Sequence, residues 1–231
     1  MTALGEPTGH ERADEPRADE PRAEDGPASP ARMETAAALR RLGHAIVAHE
    51  VDDDTFHRMT AEVRALLAVV DAMAPRHRTP LDVTHRVFVV PPPDGASRSH
   101  FPDCIVTGQA NPMGMAADIV RDGDEAVLRT TLGPAFEGAP GRAHGGAVAA
   151  LFDEVMGFVL SIQATPAYTG RLTVTYRAAT PLDQELELRA KLHSRHGRKL
   201  RIEAHARQGE TLLAEADGLF VAVDPERFAA G

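Results

Sequence analysis

Two adjacent acids in the middle of an apolar run are the residues best placed to do chemistry. Asp153 and Glu154 are the only charged residues between Gly145 and Ala164. As a helix this run would be about 30 Å long, and its apolar composition on all sides predicts that it is buried. A buried carboxylate is costly unless it is hydrogen-bonded or functional, and consecutive helix positions diverge by about 100°. We therefore expect one of the two acids to face solvent or a cleft edge, and composition does not say which.

A glycine-rich turn precedes this helix, with the sequence Pro140-Gly141-Arg142-Ala143-His144-Gly145-Gly146. Glycines at a helix start let backbone N–H groups approach a ligand, and the helix dipole favours negative charge there. The turn is a candidate site for the oxyanion of a polarised carbonyl, although Gly-Gly before a helix is more often a simple turn. Asp153 lies seven residues after Gly146, about 10 Å farther along nearly the same face. A site that uses both would need the helix N-terminus of a neighbouring chain.

The segments around this helix have the alternation of β-strands. Apolar and polar residues alternate over 172–176, 186–192, 200–207 and 219–223, with Gly197 and Gly209 at turns. An earlier hairpin over 115–131 turns at Asp122-Gly123-Asp124. Successive alternating strands predict an antiparallel sheet with one face on a core. The predicted fold class is therefore α+β, with the long helix laid against the sheet between early and late strands.

The first hundred residues have a different character. Residues 33–48 and 54–73 are predicted helices, and the second has one apolar stripe from Phe56 to Met73 behind the acidic start Asp52-Asp53-Asp54. We expect this pair to pack on the main domain or on a second subunit. Residues 1–32 hold eight acids and four arginines, a net charge of −4 within the −9 of the chain. The predicted organisation is a disordered acidic tail at 1–32, a helical segment and linker at 33–103, and a compact domain at 104–224.

Composition excludes several classes of function. One cysteine in 231 residues rules out a disulfide framework and a cysteine-cluster metal site. Every 18-residue window carries a charge and no apolar segment follows a basic start, so we expect no membrane span, no secretory signal and a cytoplasmic location. An isoelectric point near 5.6 argues against a nucleic-acid partner. Metal-site, serine-elbow and nucleotide-loop spacings do not occur, so no metal and no cofactor are predicted.

The segment from His144 to Gly157, HGGAVAALFDEVMG, resembles the signature of hotdog-fold acyl-CoA thioesterases of the PaaI-like type and the related mammalian thioesterase-superfamily branch. The resemblance covers residues 104–224, about half of the chain. It implies a hotdog fold, in which an antiparallel sheet wraps around one long central helix. It also implies that a homodimer or homotetramer hydrolyses a fatty-acyl- or aroyl-CoA to the free acid and CoA without a cofactor.

The resemblance assigns roles by position. Asp153 would be the nucleophile or the base that activates water, and the Gly145 N–H would polarise the thioester carbonyl. Thr169 would hold the attacking water, and Asn111, within Asn111-Pro112-Met113-Gly114, would orient the reacting groups. His144 mainly sets up the turn, with a role as base as the alternative.

Substrate contacts are expected at two places. Gly146 lies at the same helix start as Gly145, and the turn at 194–200, with Arg198 and Lys199, is the densest basic cluster of an acidic chain. A contact with the CoA phosphates is attractive there, although a solvated hairpin turn is the more common reason for such a cluster. Two other functions fit the pattern. One is a hotdog-fold enoyl-acyl hydratase or dehydratase that pairs His144 with an acid of the helix, and the other is a non-catalytic acyl-CoA-binding module.

Overall fold

The computed structural model describes residues 28–76, 90–97 and 101–224. Most of the predicted acidic tail, residues 1–27, lies outside the described residues. The first helix, α1 (Pro30–Ala48), begins three residues earlier than predicted. Its start follows from Ser29, whose side chain accepts a hydrogen bond from the Arg32 N–H at 3.3 Å, and from a proline in the first turn.

The second helix, α2 (Asp53–Asp71), is capped as its sequence predicts. The side chain of Asp52 accepts a hydrogen bond from the Thr55 N–H at 2.7 Å, and Asp53 and Asp54 occupy the first turn. In this segment α1 bonds to the main domain through Arg40 and His44, whereas α2 has no buried residue. Cover for the apolar stripe of α2 by a second subunit remains a prediction.

Six antiparallel strands form the main sheet in the order β1-β2-β6-β7-β8-β5. A small hairpin of two strands lies apart from it. The strands are β1 (Asp118–Asp122), β2 (Glu125–Thr131), β3 (Glu137–Ala139), β4 (Arg142–Ala143), β5 (Ala167–Tyr176), β6 (Glu185–His196), β7 (Lys199–Gln208) and β8 (Thr211–Ala222). The predicted hairpin turn at Gly123 is present, and this glycine has the positive φ of +59° that such a turn requires.

The long helix α3 (Gly145–Ile162) crosses the inner face of this sheet. Its buried side chains include Phe152, Val155, Met156 and Val159, and they pack on the inward residues of the strands. Each fully buried large apolar side chain contributes about 1.5–3 kcal/mol, so this interface is the core of the domain. The predicted arrangement, an antiparallel sheet around one long central helix, is confirmed.

Within the described part of the chain, α3 is the one helix whose length and composition would suffice to cross a membrane. In the fold, 56% of this segment is buried inside the protein. The contacts with the sheet explain why the helix is apolar on most sides.

The last strand differs from its sequence-based prediction in both length and face. β8 begins at Thr211 rather than near 219, and Leu219 and Val221 lie on the half-exposed side. The buried side carries mostly small residues, because α3 packs closely there: a Cβ at Gly218 would lie 2.7 Å from Sδ of Met156. Small residues therefore predominate on the inner face of β8, on either side of Phe220.

Candidate active site

The N-terminus of α3 presents one unused backbone donor. His144 is the N-cap, and its Nδ1 accepts a hydrogen bond from the Gly146 N–H at 2.9 Å. Nδ1 must therefore be unprotonated, and the Gly146 N–H is already bonded. The His144 N–H donates to the Phe136 carbonyl at 2.8 Å. Within the described residues, nothing accepts a hydrogen bond from the Gly145 N–H, so this donor can meet a ligand.

Tyr176 fixes this helix start from the far end of β5. Its hydroxyl donates to the Gly145 carbonyl at 2.7 Å. A Cβ at Gly145 would lie 3.2 Å from the same hydroxyl oxygen, so a glycine lets the tyrosine approach the backbone this closely. Sequence reasoning placed Tyr176 only as a strand residue, because a contact over 31 positions leaves no local signal.

The carboxylate of Asp153 is exposed and is held by one side chain. The Thr169 hydroxyl donates to its Oδ1 at 2.9 Å, which brings together two residues that were predicted to share a site. Thr169 lies at an irregularity of β5, where Gly170 is the extra residue between the pairs with Phe220 and Leu219. Bulges of this kind are common beside functional sites because they redirect a side chain.

Glu154, the neighbouring acid, is committed to a different part of the chain. Its Oε1 accepts a hydrogen bond from the Thr107 hydroxyl at 2.7 Å, and its Oε2 accepts one from the Cys104 thiol at 3.4 Å. Glu154 therefore ties the loop at 101–117 to α3, and Asp153 is the acid that faces solvent. Burial, and then the charge of Glu154, raise the pKa of the Cys104 thiol, which favours a protonated donor over a thiolate nucleophile.

Asn111 is hydrogen-bonded within its own loop. Its Nδ2 donates to the Asp103 carbonyl at 3.0 Å, and its Oδ1 accepts from the Met113 N–H at 2.8 Å. Its own carbonyl accepts from the guanidinium of Arg40 at 2.7 Å. Because both ends of the side-chain amide bond within the loop, Asn111 shapes the loop, and its carbonyl anchors α1. Its predicted role in orienting the reacting groups remains a prediction.

The basic turn lies at the opposite end of α3 from Gly145. The guanidinium of Arg195 donates to the Thr165 hydroxyl at 3.3 Å, three residues beyond the end of the helix. Nε of Arg198 donates to the Ala222 carbonyl at 2.9 Å, so this predicted substrate contact also stabilises the end of β8. Lys199 is exposed at the start of β7.

The distance along α3 decides how the site can be assembled. Asp153 follows Gly145 by eight residues, which is about 12 Å along the helix axis. Side chains on this face are small or short, and Gly157 has nothing within 4 Å of an added Cβ. In the single chain this face of α3 is open. The Gly145 N–H and the Asp153 carboxylate of one chain are too far apart to act on the same carbonyl.

A groove of about 480 Å³ on the outer face of the sheet has a different composition. Arg189 forms ion pairs there with Asp122, Glu125 and Glu187, and Arg201 pairs with Asp217. The guanidinium of Arg189 lowers the pKa of Glu187 through their hydrogen bond. Four acidic residues line this groove against three that are Lys or Arg, so its lining has no surplus of positive charge for an anion such as CoA. Across the described residues, no group of three His, Cys, Asp or Glu is placed to hold a metal ion.

The region that contains α3 is similar to a known protein family. Residues 140–215 match the family model described as Thioesterase superfamily. The match covers 76 of the 231 residues, about a third of the chain. The matched range includes Gly145, Asp153 and Thr169, whereas Asn111 lies outside it.

Two curated relatives are similar to part of the chain. Over 97 residues the chain is 33% identical to the acyl-coenzyme A thioesterase THEM4 of Bos taurus, covering 41% of this chain and 40% of that protein. Over 94 residues it is 34% identical to the protein of the same name from Mus musculus, covering 40% of each. The match therefore spans about two fifths of the length of these curated relatives.

A solved structure shows that the fold likeness reaches beyond this domain. A crystal structure of a thioesterase superfamily protein has a TM-score of 0.69 to this chain at 24% identity. It covers 84% of this chain and 92% of the other, so the likeness extends into the N-terminal helical segment. The hotdog fold and the resemblance to hotdog thioesterases that were predicted from the sequence are confirmed.

Proposed function

We propose that this protein is an acyl-CoA thioesterase that hydrolyses a fatty-acyl- or aroyl-CoA to the free acid and CoA. The observation that carries the proposal is the exposed carboxylate of Asp153, to which Thr169 of β5 donates. The same helix has at its N-terminus the Gly145 N–H, which has no acceptor among the described residues. A base for water and a donor for an oxyanion are the two groups that thioester hydrolysis requires. The acyl-coenzyme A thioesterase names of the two curated relatives support this reaction.

The chemistry follows from these two groups. Asp153 takes a proton from a water molecule, and the resulting hydroxide adds to the thioester carbonyl carbon. The carbonyl oxygen becomes an oxyanion that the Gly145 N–H stabilises, assisted by the dipole of α3. Collapse of this intermediate breaks the carbon–sulfur bond and releases CoA as a thiolate, which takes up a proton. Direct attack by Asp153, with a mixed anhydride that water then hydrolyses, uses the same two groups.

Two copies of the chain complete each site in this proposal. Antiparallel packing of two α3 helices across a two-fold axis near Ala149, midway between Gly145 and Asp153, would bring each carboxylate to the helix start of its partner. The open face of α3 is lined by Gly146, Ala149 and Gly157, whose small side chains permit close approach. The two-fold axis gives two equivalent sites per dimer.

The same arrangement suggests where CoA lies. The turn at 194–200 contacts Thr165, just past the end of α3, and so lies on the Asp153 side of the two-fold axis. We infer that Arg198 and Lys199 contact the CoA phosphates from this position. Because such contacts are electrostatic, KM for the acyl-CoA is expected to rise with salt more than kcat falls.

Hydrolysis of a panel of acyl- and aroyl-CoAs, followed by detection of free thiol, tests the proposal. Asp153→Asn keeps the shape and the Thr169 contact but removes the base, and we expect kcat to fall by about 100-fold or more. Asp118→Asn, at an exposed aspartate of β1, is the matched control and is expected to keep the wild-type rate.

The outcomes separate the alternatives. If the Asp153→Asn variant still released CoA at the wild-type rate, the active site would lie elsewhere. Binding of acyl-CoA with no turnover of any substrate would support a non-catalytic binding module. Hydration of an enoyl-CoA without thiol release would identify the hydratase.

A further inference from the structure

The helix α1 contacts the thioesterase domain through His44. Its Nδ1 accepts a hydrogen bond from the Ala135 N–H at 3.1 Å. Its ring meets the ring of Phe136 edge-on, with centroids 5.5 Å apart and planes inclined by 62°. The backbone of Gly133 also lies against it, because a Cβ there would be 2.7 Å from Nδ1. The turn at 133–136 therefore forms a socket for this one side chain.

The same turn holds the residue that caps α3. The carbonyl of Phe136 accepts the His144 N–H at 2.8 Å. The hairpin between them is equally tight, since a Cβ at Gly138 would lie 2.6 Å from Cα of His144. His144 in turn takes the Gly146 N–H, which leaves the Gly145 N–H free. Only the Ala135–Phe136 unit separates the contact with His44 from the contact with His144.

We propose that His44 is a positioning residue for the Gly145 N–H, through which α1 sets the geometry of the oxyanion donor. The proposal rests on the proposed thioesterase function and gives the N-terminal helix a part in it. α1 is firmly held, because the guanidinium of Arg40 donates to the Gln109 carbonyl at 3.0 Å and to the Asn111 carbonyl at 2.7 Å. A donor that must meet an oxyanion loses its effect when it is displaced by about 1 Å.

The first test compares two replacements of His44. Asn offers an acceptor oxygen near the position of Nδ1, whereas Leu fills the socket without one. For His44→Leu we expect kcat to fall about 10-fold with KM within about twofold of wild type, and for His44→Asn we expect most of the rate to return. His49→Leu is the control, because His49 follows the end of α1 and, among the described residues, its Nδ1 bonds to the Ala45 carbonyl of that helix. Equal rates for His44→Leu and wild type would overturn the proposal.

The second test uses the close contact between His44 and Gly133. Gly133→Ala places a methyl group against the His44 ring and is expected to lower kcat by displacing the turn. In the double variant Gly133→Ala, His44→Ala the clash is absent, so its kcat should equal that of His44→Ala alone. Losses that multiply in the double variant would show that the two residues act independently and would contradict the proposal.

A third readout does not depend on turnover. We expect the backbone amide signals of Gly145 and Gly146 in a ¹⁵N NMR spectrum to shift in His44→Leu and to stay in place in His49→Leu. Signals that do not move in His44→Leu would refute the positioning role even in a protein that hydrolyses no thioester. A shift without any hydrolysis would keep the positioning role and refute the proposed function.

Discussion

Asp153 and Glu154 show how two adjacent acids acquire different roles from their neighbours. Thr107 and Cys104 bind Glu154 from 47 and 50 positions away, so the sequence predicted that one acid faces solvent but could not say which. The resemblance to hotdog thioesterases pointed to Asp153, and the contact with Thr169 places that residue beside it. The contacts of Asn111 were unpredictable for the same reason, because they depend on how its loop folds.

The thiol of Cys104 should lose its proton at a higher pH in the folded chain than in the unfolded chain. Burial is the larger cause of the raised pKa of Cys104 and the charge of Glu154 the second, so Glu154→Gln is expected to remove only part of the shift. A raised pKa stabilises the fold below the unfolded thiol pKa of about 8.5, and this contribution is lost as the pH rises through the folded pKa. The rate of reaction with a disulfide reagent against pH, in native and unfolded protein, measures the difference. Coincident pH profiles would contradict this account.

At the scale of elements, the sequence predicted what periodicity can encode. Patterns of apolar residues predicted α3 and the strands β6 and β7. The turn residues Asp122-Gly123-Asp124 predicted the hairpin between β1 and β2. β8 was misjudged because its buried side is Ala, Gly and Ala around Phe220, where close packing of α3 overrides hydrophobicity. The contact of His44 with Ala135 spans 91 positions and has no sequence signal.

The open face of α3 should be the surface that joins two copies. Gly157→Glu adds a charge where the single chain has space, so we expect the variant to fold and, by helix propensity, to gain up to about 1 kcal/mol. It should nevertheless lose both subunit association and activity. Gly43→Glu, at an α1 glycine whose surroundings are equally open, is the control and should keep both. Sedimentation measures the association, thermal unfolding the stability, and thiol release the activity of each variant. A Gly157→Glu protein with wild-type association and activity would disprove this interface.

Across the whole molecule, a region similar to the Thioesterase superfamily is joined to a helix, α1, that contacts the turn before the candidate site. We expect a partner to cover the exposed apolar stripe of α2. The identity of that partner, the cytoplasmic location and the oligomeric state, dimer or tetramer, all remain predictions. The partner of α2 and the oligomeric state depend on contacts between chains, which neither periodicity nor a single folded copy contains.

Mixing two inactive variants tests whether the thioesterase site is built from two chains. One chain carries Asp153→Asn, and the other carries Gly145→Pro, which removes the N–H at a position where a helix tolerates proline. Gly145→Ala adds a Cβ but keeps the N–H, and it controls for the contact with Tyr176.

Each homodimer of the two variants should be inactive, whereas a mixed dimer has one intact site. After unfolding and refolding of an equal mixture, the account predicts about a quarter of the wild-type rate of thiol release, since half of the dimers are mixed and each has one of two sites intact. A mixture that stays as inactive as its two components would contradict the shared site.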